Sequence, residues 1–179
     1  YVKNVTNNRF RNNTNSQLHA HYNKAVIHVG TGNTFTGGKN AVLALAGGTI
    51  KIAGNNNTIQ GSTGAGIDCN GGTVLIQGSG TKIKNNATHG IYVANGTVTI
   101  KGSKTQVTGN KQVGLGLFKN ATVSVAGAST TIKSNKTNNV YVGQGSKLTI
   151  SGKSSVIQGA GALGASGESG GVVVTKGTS

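Results

Sequence analysis

Apolar and polar residues alternate along most of the chain in short runs, as in Ile50-Lys51-Ile52, Val98-Thr99-Ile100 and Leu115-Gly116-Leu117. A period of two places successive side chains on opposite faces and predicts strands with one buried face. The runs recur in three series. Ile50, Val74, Val98, Val123 and Leu148 open the first, at steps of 24, 24, 25 and 25. Ile59, Ile83, Val107, Ile132 and Ile157 centre the second, each 9 residues after its partner. Ile67, Ile91, Leu115 and Val140 open the third, each 8 residues later again. Gly and Asn separate the runs, which is turn chemistry.

Self-similarity at this period marks a solenoid. Each repeat predicts one rung of three strands, and each strand stacks on its counterpart in the next rung. The fold class is therefore all-β, with three parallel sheets around a narrow core and six to seven rungs of 24–25 residues. At about 4.8 Å per rung the rod is about 30 Å long. Residues 1–24 predict a partial first rung or an N-terminal cap, because Phe10 precedes Phe35 by 25 residues. By the same step Leu18 and Ala20 correspond to Leu43 and Leu45, which turns His19 and His21 outward. Residues 25–179 carry the rest of the solenoid. In the last rung Val172 lies 15 residues after Ile157 instead of 8, which predicts a flexible loop insertion at 158–171.

An Ile-x-x-Asn motif recurs as Ile83–Asn86, Val107–Asn110 and Ile132–Asn135, and Phe10–Asn13 is an early copy. With the three-strand repeat, it resembles the right-handed parallel β-helix family, the pectin-lyase-like and autotransporter-passenger type of solenoid. Phe10–Asn13 also resembles the Phe-x-x-Asn motif of the chlamydial polymorphic outer-membrane adhesins. The resemblance spans residues 25–175 and implies a right-handed, single-stranded β-helix. It further implies that Asn13, Asn86, Asn110 and Asn135 stack inside a turn and satisfy backbone groups there, with Gly38, Ser62 and Ala160 interrupting the ladder. Many activities share this fold, so the resemblance does not fix one.

Charge narrows the choice. The chain holds 17 Lys and Arg against two carboxylates, Asp68 and Glu168, a formal net charge of +15. Such an excess implies an anionic neighbour: an acidic glycan or another anionic surface. The basic candidates are Arg9, Arg11, Lys82, Lys84 and Lys133 on the second strands, with Lys101 and Lys104 on adjoining turns. No aromatic platform runs beside them, which argues against specific nucleic-acid readout. No long apolar run is present, so no membrane-spanning helix is expected. Cys69 is the one cysteine and alternates inward, which predicts a packed thiol and no disulfide. The chain begins at Tyr1, which points to a processed product or an excised domain.

Two carboxylates four rungs apart do not make a hydrolytic pair, and no acidic cluster exists to hold calcium. The expectation is a non-catalytic structural or adhesive solenoid of an extracellular surface, cell surface, filament or virion, without metal or cofactor. Its end rungs lack caps and invite self-association end to end. Two alternatives remain open. Thr49, Thr73, Thr97, Thr122 and, two residues along each strand, Thr99 and Thr149 form rows that resemble an ice-binding face. Tyr92 and Tyr141, with His89 near Tyr92, are the residues a metal-free polysaccharide lyase would use.

Overall fold

The computed structural model describes the backbone of residues 2–158, 163–167 and 172–175, and the side chains of residues 6–158. The described residues form a parallel β-solenoid of three sheets and no helix. The first sheet has eight strands and the second and third have seven each, ordered along the rod as along the chain. Registers follow the repeat: Val74 lies between Ile50 and Val98, Ile83 between Ile59 and Val107, and Ile91 between Ile67 and Leu115.

The inward position of each strand feeds one continuous core. Ile50, Ile59, Ile67, Ile83, Ile91 and Leu115 are all fully buried. Because each turn packs only on its neighbours, the core is a stack of thin aliphatic layers. At one end the layers are aromatic, where Phe10 stacks on Phe35 with ring centroids 4.9 Å apart. Cys69 is fully buried in the third sheet, and burial pushes its thiol up to about 11, so it is a packing group with negligible thiolate at neutral pH.

Three expectations about the strands change. The first 24 residues give one strand to each sheet, Val2–Val5, Arg9–Arg11 and Leu18–His21, and so form a full turn. Leu18 and Ala20 pair with Val42 and Ala44, leaving Leu43 and Leu45 on the outer face. The turn between the second and third sheets is one residue shorter in that rung, which moves the register by one. At the far end, a strand Leu163–Gly167 occupies the third sheet where the alternation predicts a loop across 158–171, and it places Ala165 beside Val140. Val172–Thr175 then joins the first sheet, with Val173 beside Leu148. The 25-residue step is kept, and nothing is inserted into it. Glu168 and Ala160 lie outside the described residues.

The turns are held by polar ladders. The Nδ2 and backbone N–H of Asn86 donate to Asn110 Oδ1 at 2.9 and 3.1 Å, and those of Asn110 donate to Asn135 Oδ1 at 2.8 and 3.0 Å. Ser62, expected to interrupt this ladder, continues it instead, since a hydroxyl can replace the amide: its N–H donates to Asn86 Oδ1, and its Oγ accepts from Ala41 N–H. Asn13, expected inside this turn, is instead exposed beyond the end of the ladder and donates to Gln17 Oε1, because Gly38 one rung on has no side chain to receive it. Asn139 closes the other end, accepting from both nitrogens of Asn135. A second ladder lines the turn between the first and second sheets. Asn33 and Asn57 open it, and Thr81, Thr105 and Thr130 continue it, each hydroxyl donating to the glycine carbonyl three residues back.

Candidate functional site

The solenoid shows three outer faces, and their chemistries differ. On the first sheet Thr49, Thr73, Thr97 and Thr122 form one column in register, ended by Lys147. In the parallel column Thr99, Ser124 and Thr149 follow Lys51 and Leu75. The threonines therefore align, and long side chains cut both columns.

The second sheet carries the basic candidates. Arg9 and Arg11, Lys82 and Lys84, and Lys133 all face outward from its strands. Between the arginine pair and the lysine pair lie Thr34, Thr36, Thr58 and Gln60. These side chains enclose an open depression of about 440 Å³, with Arg9 and Arg11 at one end and Lys84 at the other. Three strand steps separate those ends, about 14 Å along the rod. Lys101 and Lys104 are exposed on the adjoining turn. Asp68, on the third sheet, is the sole carboxylate among residues 6–158, so these cations face no acid on their own sheet.

The third sheet is the most structured face. His19, Leu43, Asp68, Tyr92, Gly116 and Tyr141 follow one another along its outer column. A Cβ on Gly116 would sit 2.6 Å from the Phe118 ring, because Phe118 folds back over that glycine and fills the missing place in the column. The result is a file of rings, Tyr92, Phe118 and Tyr141, with centroids 4.7 and 5.0 Å apart. His89 joins the file at 5.5 Å from Tyr92 and 5.3 Å from Phe118. Alternation places the two tyrosines; it gives no sign of Phe118, which lies just past the strand Val113–Leu117 and fills the place over Gly116.

Beyond Tyr92 lies a hollow of about 280 Å³, lined by Lys39, Asn40, Asp68, His89, Tyr92 and Gln112 among others. Asn40 donates to Asp68 Oδ2 at 2.8 Å and accepts the Ala65 N–H with its own oxygen. Asp68 Oδ1 and His89 Nδ1 are buried without a hydrogen-bond partner in the protein. Burial raises the Asp68 carboxyl above its ordinary value, partly offset by the nearby Lys39 charge. Burial also lowers His89, which favours the neutral imidazole. Among the described residues no three His, Cys, Asp or Glu side chains gather as a metal site.

The lowered His89 has a consequence for stability. Its folded pKa lies below its unfolded value of about 6.5, so the unfolded chain binds the proton more readily. The contribution is complete above that value and is lost as pH falls toward the folded pKa. Melting temperature is expected to drop between about pH 7 and pH 5, and His89→Gln should flatten that drop. An unchanged slope in the variant would show that His89 does not titrate in this window.

No family model matches the chain, and neither does any curated protein or solved structure.

Proposed function

We propose that this chain is a non-catalytic adhesive or structural solenoid of an extracellular surface, filament or virion, and that it binds a linear anionic glycan along the second sheet. The observation that carries this reading is the depression between Arg9, Arg11 and Lys84. Its floor of hydroxyl and amide groups donates hydrogen bonds, and its ends are cations without a carboxylate on the same sheet. A polyanion lying along the rod would meet charge at both ends and donors between. Arginine forks suit carboxylate or sulfate oxygens in two-point contacts. Repeated strands give a straight, evenly spaced track, which a globular surface rarely offers.

Binding of this kind releases counterions and weakens with salt. Dextran sulfate and polygalacturonate are expected to bind in titration calorimetry, with neutral dextran as the blank. Changing Arg9, Arg11, Lys82 and Lys84 together to Gln should cut affinity and lower the slope of log K against log salt by about 2–3. An unchanged slope would place the anion elsewhere on the chain and sink the reading.

A further inference from the structure

The strand Leu18–His21 carries a pair of imidazoles that the polyanion track does not use. We infer that His19 and His21 together bind one transition-metal ion, Cu²⁺, Ni²⁺ or Zn²⁺, on the outer face of the third sheet.

The strand places the pair. Leu18 and Ala20 lie beside Val42 and Ala44, so His19 and His21 alternate outward, beside Leu43 and Leu45. His19 is exposed and His21 half-buried. Their ring centroids are 5.3 Å apart and the rings are nearly parallel, at 16°. Two imidazoles on one ion, each at about 2.0–2.1 Å, bring their ligating nitrogens within about 4 Å of each other. Rotation of the exposed His19 ring toward His21 supplies that approach. His21 is held: Tyr22 stacks on it with centroids 3.8 Å apart at 11°. Tyr22 is 67 % exposed and keeps its φ at +68°, the one aromatic among the described residues with a left-handed backbone. That conformation is costly for a bulky side chain, and it buries little of the ring. It does clamp one ligand while the other stays free to close.

Chemistry selects the ion. Neutral imidazole suits Cu²⁺, Ni²⁺ and Zn²⁺, with Cu²⁺ the tightest of the three. Ca²⁺ and Mg²⁺ require oxygen ligands. Asp68, the carboxylate on this face, stands two strand steps from His19, about 10 Å, with Leu43 between them. Asn40 already holds one of its oxygens. The next rung meets the pair with Leu43 and Leu45, which bring neither a competing ligand nor a charge. Water completes the coordination, as two side chains fill only part of it. Lys39 lines the hollow beside His19, and the chain carries a net charge of +15, so a cation binds here against long-range repulsion. Salt screens that repulsion. The two sites therefore respond to salt in opposite directions: the polyanion leaves the second sheet as salt rises, and the metal is held as well or better.

The test is a titration of the full chain with Cu²⁺ in a non-coordinating buffer, followed by calorimetry and by electron spin echo, which counts the imidazoles on the ion. One ion per chain with two imidazoles is expected, and excess Mg²⁺ should not displace it. His19→Gln and His21→Gln should each lose about ten-fold or more in affinity, because the second imidazole binds as part of the same molecule. Both side chains lie on the outer face, so these variants are expected to fold normally. Tyr22→Phe keeps the clamp and should bind as wild type, while Tyr22→Ala frees His21 and should lose about two- to ten-fold. His89→Gln should leave binding unchanged. The four-fold Gln variant of the second sheet should bind the ion at least as tightly, which separates this site from the polyanion track. Undiminished affinity in either single-histidine variant would overturn the inference. So would a single imidazole on the bound Cu²⁺, or an affinity that falls with salt as the polyanion's does.

Discussion

Gly78→Ala is expected to destabilise the fold by about 3 kcal/mol, more than most single substitutions of a glycine by alanine. Gly54, Gly78, Gly102, Gly127 and Gly152 stack at the turn between the first and second sheets. A Cβ at Gly78 would lie 1.8 Å from the Gly54 carbonyl oxygen, and one at Gly102 would lie 2.0 Å from that of Gly78. The obstructing atoms are backbone, so no side-chain rotation relieves the clash. The rungs would have to separate locally, which lengthens the ladder bonds on both sides. Gly37 provides the contrast. A Cβ there meets nothing within 4 Å, but its φ is +77°, so alanine would incur only the left-handed backbone penalty of about 1–2 kcal/mol. Urea denaturation of the two variants should therefore separate them by about 1–2 kcal/mol at similar m-values. Since contacts in a solenoid are between neighbouring turns, hydrogen exchange in Gly78→Ala should accelerate first in the turns flanking residue 78. Equal losses at Gly78 and Gly37 would show that the rung spacing yields, and would remove the close-approach argument.

The repeat was legible because burial in a solenoid is enforced once per turn at each sheet. Every inward aliphatic must recur, so Ile59, Ile83, Val107 and Ile132 announce their sheet. The reading failed where the enforced residue changed type. In Leu163–Gly167 the residue in register with Val140 is Ala165, and a small residue in a Gly- and Ser-rich run does not look like a strand. The second polar ladder was hidden in the same way. Asn33 and Asn57 give way to Thr81, Thr105 and Thr130 at the same steps, because a hydroxyl and an amide can both reach the turn carbonyl. The outward rows on the second sheet could be read, since an unbroken register carries Arg9 and Lys82 to the same face. The hollow on the third sheet could not. Asn40 meets Asp68 across 28 residues, a step outside the repeat, and the ring file depends on Phe118 occupying the space over Gly116. Both arise from side chains crossing between rungs, which a one-dimensional period does not encode.

Asn110→Ala is the second large effect, expected at about 3 kcal/mol. Asn110 is 1 % exposed, and its Oδ1 accepts two bonds, from the backbone N–H and the Nδ2 of Asn86. Its own Nδ2 donates to Asn135 Oδ1 at 2.8 Å. Truncation leaves the Asn86 backbone N–H without a partner in a fully buried turn, and an unmade buried bond costs about 1–3 kcal/mol. Asn135 Oδ1 keeps the Asn110 backbone N–H, so the damage runs toward Asn86 and not away from it. Asn13 is the matched control: it shares the motif but is exposed at the ladder's end, so Asn13→Ala should change stability by less than about 0.5 kcal/mol. Asn110→Asp sharpens the argument. The carboxylate would still accept from Asn86, but it would lose the donor to Asn135 and set two oxygens against each other in a buried site. Desolvation and that contact would both raise its folded pKa above the unfolded value. Its protonated form can donate to Asn135 again, so the variant should be closest to wild type at low pH. It should lose stability as pH rises through the ordinary carboxyl range and up to the raised pKa. Denaturation of the three variants across pH reads all of this at once. A loss in Asn110→Ala no greater than in Asn13→Ala would mean that the turn is held by backbone pairing alone, and that the asparagine ladder is a consequence of the fold and not one of its supports.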